Sequence, residues 1–263
     1  MVPPLDSSQS GCPTDHGAGS MRARALQPGP GDALVVVDVQ NDFLPGGALA
    51  VPAGDAVVPV LNRYIGEFER RRLPVFATRD WHPPRHCSFR EQGGPWPPHC
   101  IAGTRGAEFA RDLALPASAR LVSKAARAEA DAYSGFEGTD LASQMRQLQC
   151  TRVFIGGLAT DYCVRASALD ARAEGFEVVV LEDAIRAVDV HPGDGQRALQ
   201  DLAMRGARTG ARGAPWHWRR CSKPAPTRIA YRPCGSIAVI LQVRRAACVR
   251  RWTLMAAATF GSC

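Results

Sequence analysis

The sequence predicts an α/β fold, a three-layer αβα sandwich around a mostly parallel sheet of five to six strands. Three observations predict it. Short apolar runs alternate with helical segments through the middle of the chain, the order that builds a parallel sheet with helices on both faces. The first run, "ALVVVDV" (33–39), is almost continuously apolar, as a strand covered on both faces must be. The next segment, 55–72, switches to helical spacing, with Val57, Val58, Leu61, Ile65 and Phe68 on one face and charges opposite. Later strands are read at 74–80, 119–124, 151–157 and 176–183, with helices near 138–150, 160–174 and 194–206. The edge strand is the open point. Residues 207–226, "ARTGARGAPWHWRRCSKPAP", are rich in glycine, proline and arginine, and the remaining strand-like run is "SIAVILQV" (236–243).

These segments set the domain plan. Residues 1–31 are rich in Pro, Gly and Ser without hydrophobic rhythm and read as a disordered arm. Residues 32–206 form one α/β domain, and 207–263 an atypical basic tail. The net charge of +7 belongs to that tail: from Ala207 onward there are 11 of the 32 basic residues and none of the 25 acidic ones, leaving 21 basic against 25 acidic, or −4. Polyanion binding through the tail is therefore a rival reading. It lacks a recognised motif, and clustered charge alone gives only non-specific affinity, so no specific nucleic-acid partner is expected. Nine irregularly spaced cysteines without a CxxC pair make neither a disulfide framework nor a structural zinc site, which fits a reducing, cytoplasmic setting. No signal-peptide pattern or membrane-length apolar run is visible.

Open parallel sheets bind ligands beyond the carboxyl ends of their strands. Asp38 closes the first strand, Asp80 the second and Lys124 the third, and "GGLATDYC" follows the fourth. Cys163 falls in the first turn of a helix that Thr160 or Asp161 could cap, a position expected to lower a thiol pKa. A carboxylate, an ammonium and a thiol that met there would make an activated nucleophile without histidine. The stretch "DWHPPRHCSF" (80–89) admits a metal site, a thiol with its base, or a polar turn. Asp80 and His82 can converge on one ion, with His86 or the later His99 of "WPPHC" completing the shell. Carboxylate plus imidazole suits one divalent Zn, Fe or Mn.

Five segments, "VVDVQNDFLPGGALAV", "TRDWHPPRHCSF", "GGPWPPHCIAGTRGAEF", "SKAARAEADAYSGFEGT" and "IGGLATDYCVRASALDA", resemble the nicotinamidase (pyrazinamidase) family of isochorismatase-like cysteine hydrolases. The resemblance spans about 33–206 and implies hydrolysis of nicotinamide to nicotinate and ammonia through a thioester. It implies Cys163 as nucleophile, Asp38 as proton carrier, Lys124 as third member of a triad, and the N–H groups of Ala159 and Cys163 as oxyanion hole. A cis peptide is implied before Ala159. Asp80, His82 and His99 are implied as metal ligands, with His86 an additional ligand or near neighbour. Phe43, Trp96 and Tyr133 match pocket-lining aromatics. The same residues count against two other branches, the isochorismatases, which lack the cysteine, and the carbamoyl amidases, which generally lack the DxH pair. Family members close with a sixth strand soon after the 194–206 helix. An altered tail leaves an inactive or destabilised variant as a further reading, and the sequence leaves assembly into a homo-oligomer open.

Overall fold

A computed structural model describes residues 27–210. Most of the arm, the tail from residue 211 and "SIAVILQV" lie outside the described residues. Six strands form one parallel sheet: β1 (Asp32–Val37), β2 (Val75–Asp80), β3 (Arg120–Lys124), β4 (Arg152–Leu158), β5 (Glu177–Arg186) and β6 (Arg208–Gly210), in the order β3-β2-β1-β4-β5-β6. Four helices cover it: α1 (Val57–Arg70), α2 (Leu141–Gln147), α3 (Arg165–Ala173) and α4 (Asp194–Met204). No helix among the described residues is long and apolar enough to cross a membrane.

Every residue of β1 is buried, and its alternation feeds two cores because successive strand side chains point to opposite faces. Leu34 and Val36 pack with Leu61, Ile65 and Phe68 of α1. Ala33, Val35 and Val37 pack with Leu141 and Met145 of α2, Ala168 and Ala171 of α3 and Leu202 of α4. The helix read from 55–72 forms with the face anticipated for it, since Val57, Val58, Leu61, Ile65 and Phe68 are all buried.

The edge strand left open by the sequence is β6, three residues beginning just after α4. It pairs with β5 through Val179 with Arg208, Val180 with Thr209 and Leu181 with Gly210. Glycine and arginine there do not prevent pairing, because an edge strand requires its backbone groups and only one covered face.

Candidate active site

Sheet growth reverses at β1, which pairs with β2 on one side and β4 on the other. Ligands of open α/β sheets bind at this switch, beyond the strand carboxyl ends. Asp38 follows β1 in a left-handed conformation, φ +49°, which turns the chain out of the ladder. Its side chain is wholly buried, and the Thr78 hydroxyl donates to its Oδ1 at 2.6 Å. Lys124, the last residue of β3, is also buried. Its Nζ lies 3.0 Å from Asp38 Oδ2, and it donates to Asp80 Oδ1 and, at 3.1 Å, to the Ala132 carbonyl. Cys163 Sγ stands 3.5 Å away. Oxygen atoms of Asp38 and Asp80 and the Cys163 sulfur lie within 4.8 Å of one another. The acid, amine and thiol singled out in the sequence therefore share one buried place.

Cys163 sits in a π-helical turn, Thr160–Val164, that runs into α3. The Leu158–Ala159 peptide before it is cis. The cap expected from Thr160 or Asp161 does not form: Ala159 holds the cap position and no side chain bonds there. Asp161 instead accepts from the N–H groups of Val188 and Asp189, at 3.0 and 2.9 Å, and so holds the segment after β5 against the turn. The lowered thiol pKa expected from a helix terminus is also corrected. Burial pushes the Cys163 thiol well up, against the pull of Lys124, and Asp38 and Asp80 reinforce the rise. Burial disfavours a thiolate there. Burial also raises Asp38, opposed by Lys124 and assisted by Asp80. Asp80 differs: burial would raise it, but the neighbouring Lys124 ammonium outweighs that and holds it below the ordinary carboxylate range.

Beside this group, one ligand atom each from Asp80, His82 and His99 lies within 4.8 Å of the others, all three residues buried. His82 Nδ1 faces the Ala125 carbonyl at 3.2 Å, and His99 Nδ1 faces the Pro97 carbonyl at 2.8 Å. Such carbonyls fix the tautomer that leaves Nε2 with a lone pair. His82 Nε2 is buried without a hydrogen-bond partner, 3.7 Å from Asp80 Oδ2. A buried orphan acceptor beside a carboxylate is costly unless something positive binds it. The donor set therefore fits a divalent ion of the Zn, Fe or Mn kind. His86 stands apart from the three. Its Nδ1 meets Ser88 Oγ at 2.7 Å and its Nε2 the Ala130 carbonyl at 3.2 Å, so both ring nitrogens are engaged, and its ring packs 4.2 Å from that of His82.

A pocket partly open to solvent joins the two groups. Phe43, Trp96 and Tyr133 line it together with Asp80, His99, Ala159 and Cys163. Trp96 Nε1 donates to the Tyr133 hydroxyl at 3.0 Å, and burial pushes that phenol up to about 12. Five further wall residues, Leu49, Val51, Leu158, Tyr162 and Val188, escaped the sequence reading. Tyr162 could have been found as the neighbour of Cys163, and Leu158 as that of Ala159. The others carry no local signal, because only tertiary packing brings them there.

The isochorismatase domain matches residues 32–212. The chain belongs to the isochorismatase family. Within it the relatives include several nicotinamidases. The Escherichia coli nicotinamidase is 37% identical over 199 residues, covering 68% of this chain and 93% of its own. The Pyrococcus horikoshii pyrazinamidase, solved in complex with zinc, is 52% identical with a TM-score of 0.67, over 69% of this chain and 99% of that one. A structure from L. infantum in complex with nicotinate is 37% identical with a TM-score of 0.63, over 69% and 93% of the two chains. The isochorismatase match runs past α4 and takes in β6.

Proposed function

We propose that this chain hydrolyses nicotinamide to nicotinate and ammonia, with Cys163 as nucleophile. The observation that carries the reading is the meeting of Cys163, Asp38 and Lys124 with Asp80, His82 and His99 around one aromatic-walled pocket. Relatives named for nicotinamide and pyrazinamide hydrolysis support the substrate class, and pyrazinamide is a second substrate of the same shape.

A protonated thiol is a poor nucleophile, so the site needs a base beside it. Asp38 supplies one: its carboxylate lies within 4.8 Å of the sulfur, and burial raises its affinity for a proton. The thiol proton passes to Asp38 as sulfur attacks the carboxamide carbon. The N–H groups of Ala159 and Cys163 serve as donors to the developing oxyanion. Asp38 returns the proton to the departing nitrogen, releasing ammonia and leaving a thioester. It then takes a proton from water, whose oxygen replaces sulfur at the acyl carbon, and nicotinate and the thiol are released. Lys124 holds Asp38 and Asp80 in place throughout, and its positive charge offsets the negative charge that builds at the site. Asp80, His82 and His99 would hold a divalent ion, which would supply Lewis-acid chemistry beside the substrate. Phe43, Trp96 and Tyr133 match the flat ring.

Ammonia release from nicotinamide, with metal analysis of the same sample, tests the reading. Cys163→Ala should lose turnover by at least about 10³-fold, as removal of a nucleophile does, while keeping the metal content of the wild type. Substantial turnover by that variant would end the covalent mechanism.

A further inference from the structure

The residues after β1 do more than lead out of the sheet. β1 leaves the ladder at Asp38, whose N–H makes the last bond to β2, at the Thr78 carbonyl, 3.2 Å. In a parallel ladder a strand's residues bond alternately to its two neighbours. Asp80, two residues past Thr78, therefore turns its N–H and C=O toward the space β1 has vacated. Gln40 fills that space with its side chain. Its Oε1 accepts from Asp80 N at 2.8 Å, and its Nε2 donates to Asp80 O at 2.8 Å and to Ala107 O at 2.9 Å. Gln40 is fully buried, and three of the four hydrogen bonds its amide can make go to backbone.

Two residues on, Asp42 reaches the other ligand loop. Its Oδ2 accepts from the N–H of Cys100 at 2.7 Å, the residue that follows His99. Its Oδ1 accepts from Ala48 N at 3.3 Å. The contact with Gly106, further along the same segment, is tight, because a Cβ placed there would lie 2.1 Å from Asp42 Oδ2. Between them, Asn41 donates through Nδ2 to the Arg105 carbonyl at 2.7 Å. Three consecutive side chains thus tie the end of β2 and the 99–107 segment to the end of β1.

We propose that Gln40 and Asp42 are positioning residues for the metal centre: Gln40 fixes Asp80 through its backbone and Asp42 fixes His99 through the next N–H, so one short segment sets the spacing of the two ligands. This rests on the metal-holding role proposed above for Asp80, His82 and His99. Neither residue touches an ion or the substrate. Partners of this outer kind are worth about 10–100-fold in metal affinity.

The test is zinc binding to the metal-stripped, full-length chain, measured by competition with a chromophoric chelator, for wild type, Gln40→Ala, Asp42→Ala, Asp42→Asn and Leu202→Ala. Leu202 is a buried residue of α4, and its variant controls for lost stability. Gln40→Ala and Asp42→Ala should bind zinc about 10–100-fold more weakly. Asp42→Asn, which keeps an acceptor for the Cys100 N–H, should recover most of the affinity, and Leu202→Ala should keep it. Wild-type affinity in both alanine variants overturns the proposal, as does an equal loss in Leu202→Ala. If Gln40→Ala does not fold, the Asp42 pair decides, and equal affinities of Asn and Ala there overturn it. A wild type that binds no zinc removes the metal reading itself, which is a separate outcome from wild-type binding that the variants leave unchanged.

Discussion

Lys124 is the residue on which the site's electrostatics turn. One ammonium, wholly buried, faces two buried carboxylates, a carbonyl and a thiol. Burial would lower its pKa, but Asp38 and Asp80 hold it well above the ordinary lysine value. Removing one partner of a buried ion pair leaves the other charge uncompensated, at a cost of about 3–5 kcal/mol. Lys124→Met is expected to destabilise the fold by that amount in urea unfolding and to abolish ammonia release. A loss of under ~1 kcal/mol, the range of exposed pairs, would show that the carboxylates do not depend on it. Asp38, Asp80 and Lys124 were legible because each closes a segment read as a strand, and strand ends in a parallel sheet share a rim. The bonding of His86 was not, since one of its partners is a carbonyl 44 residues away. Asp161 was misread for a similar reason. Its acceptors go to Val188 and Asp189, beyond β5, and a local cap is only one of the uses an aspartate has.

At the scale of elements, β4 carries the clearest mark of close approach. Gly157 lies opposite Val37 of β1 at φ +128°, and a Cβ there would sit 2.1 Å from the Val37 carbonyl oxygen. Pairing with β5 also shifts register here, since Ile155 meets Val180 and Gly157 meets Ile185, so the extra residues lie in β5 while β4 stays in register with β1. Apolar periodicity revealed β4 as a strand but not this close approach, which depends on how tightly two neighbouring backbones pack. Gly157→Ala combines backbone overlap with an unfavourable φ and should cost roughly 2–6 kcal/mol. Gly93 is a useful contrast, with φ +87° but no atom within 4 Å of an added Cβ. Gly93→Ala should cost only the left-handed penalty of about 1–2 kcal/mol. Equal midpoint shifts for the two in chemical unfolding would mean that the β1–β4 approach imposes nothing beyond conformation.

For the whole molecule, the question is how much of the chain the hydrolase uses. Every residue proposed for the triad and the metal group, and every pocket residue, lies before β6, and the isochorismatase match ends at residue 212. Nine of the 32 basic residues and no acidic ones follow that point, so a chain ending at 212 has 23 basic against 25 acidic groups and a net charge of −2 instead of +7. Since tolerance to truncation follows from the burial and bonding of the backbone removed, two end points separate the contributions. Ending at 212 keeps β6 on β5 and should keep ammonia release within about twofold, while ending retention on a polyanion column. Ending at 206 removes the partners of Val179, Val180 and Leu181 and the buried Ala207. That chain should lose about 1–3 kcal/mol of stability, the scale of a few lost ladder bonds, with turnover falling as the folded fraction falls. If the chain ending at 212 folds and binds zinc but releases no ammonia, residues 213–263 complete the catalytic site, and the division between a self-sufficient hydrolase and a basic tail is wrong.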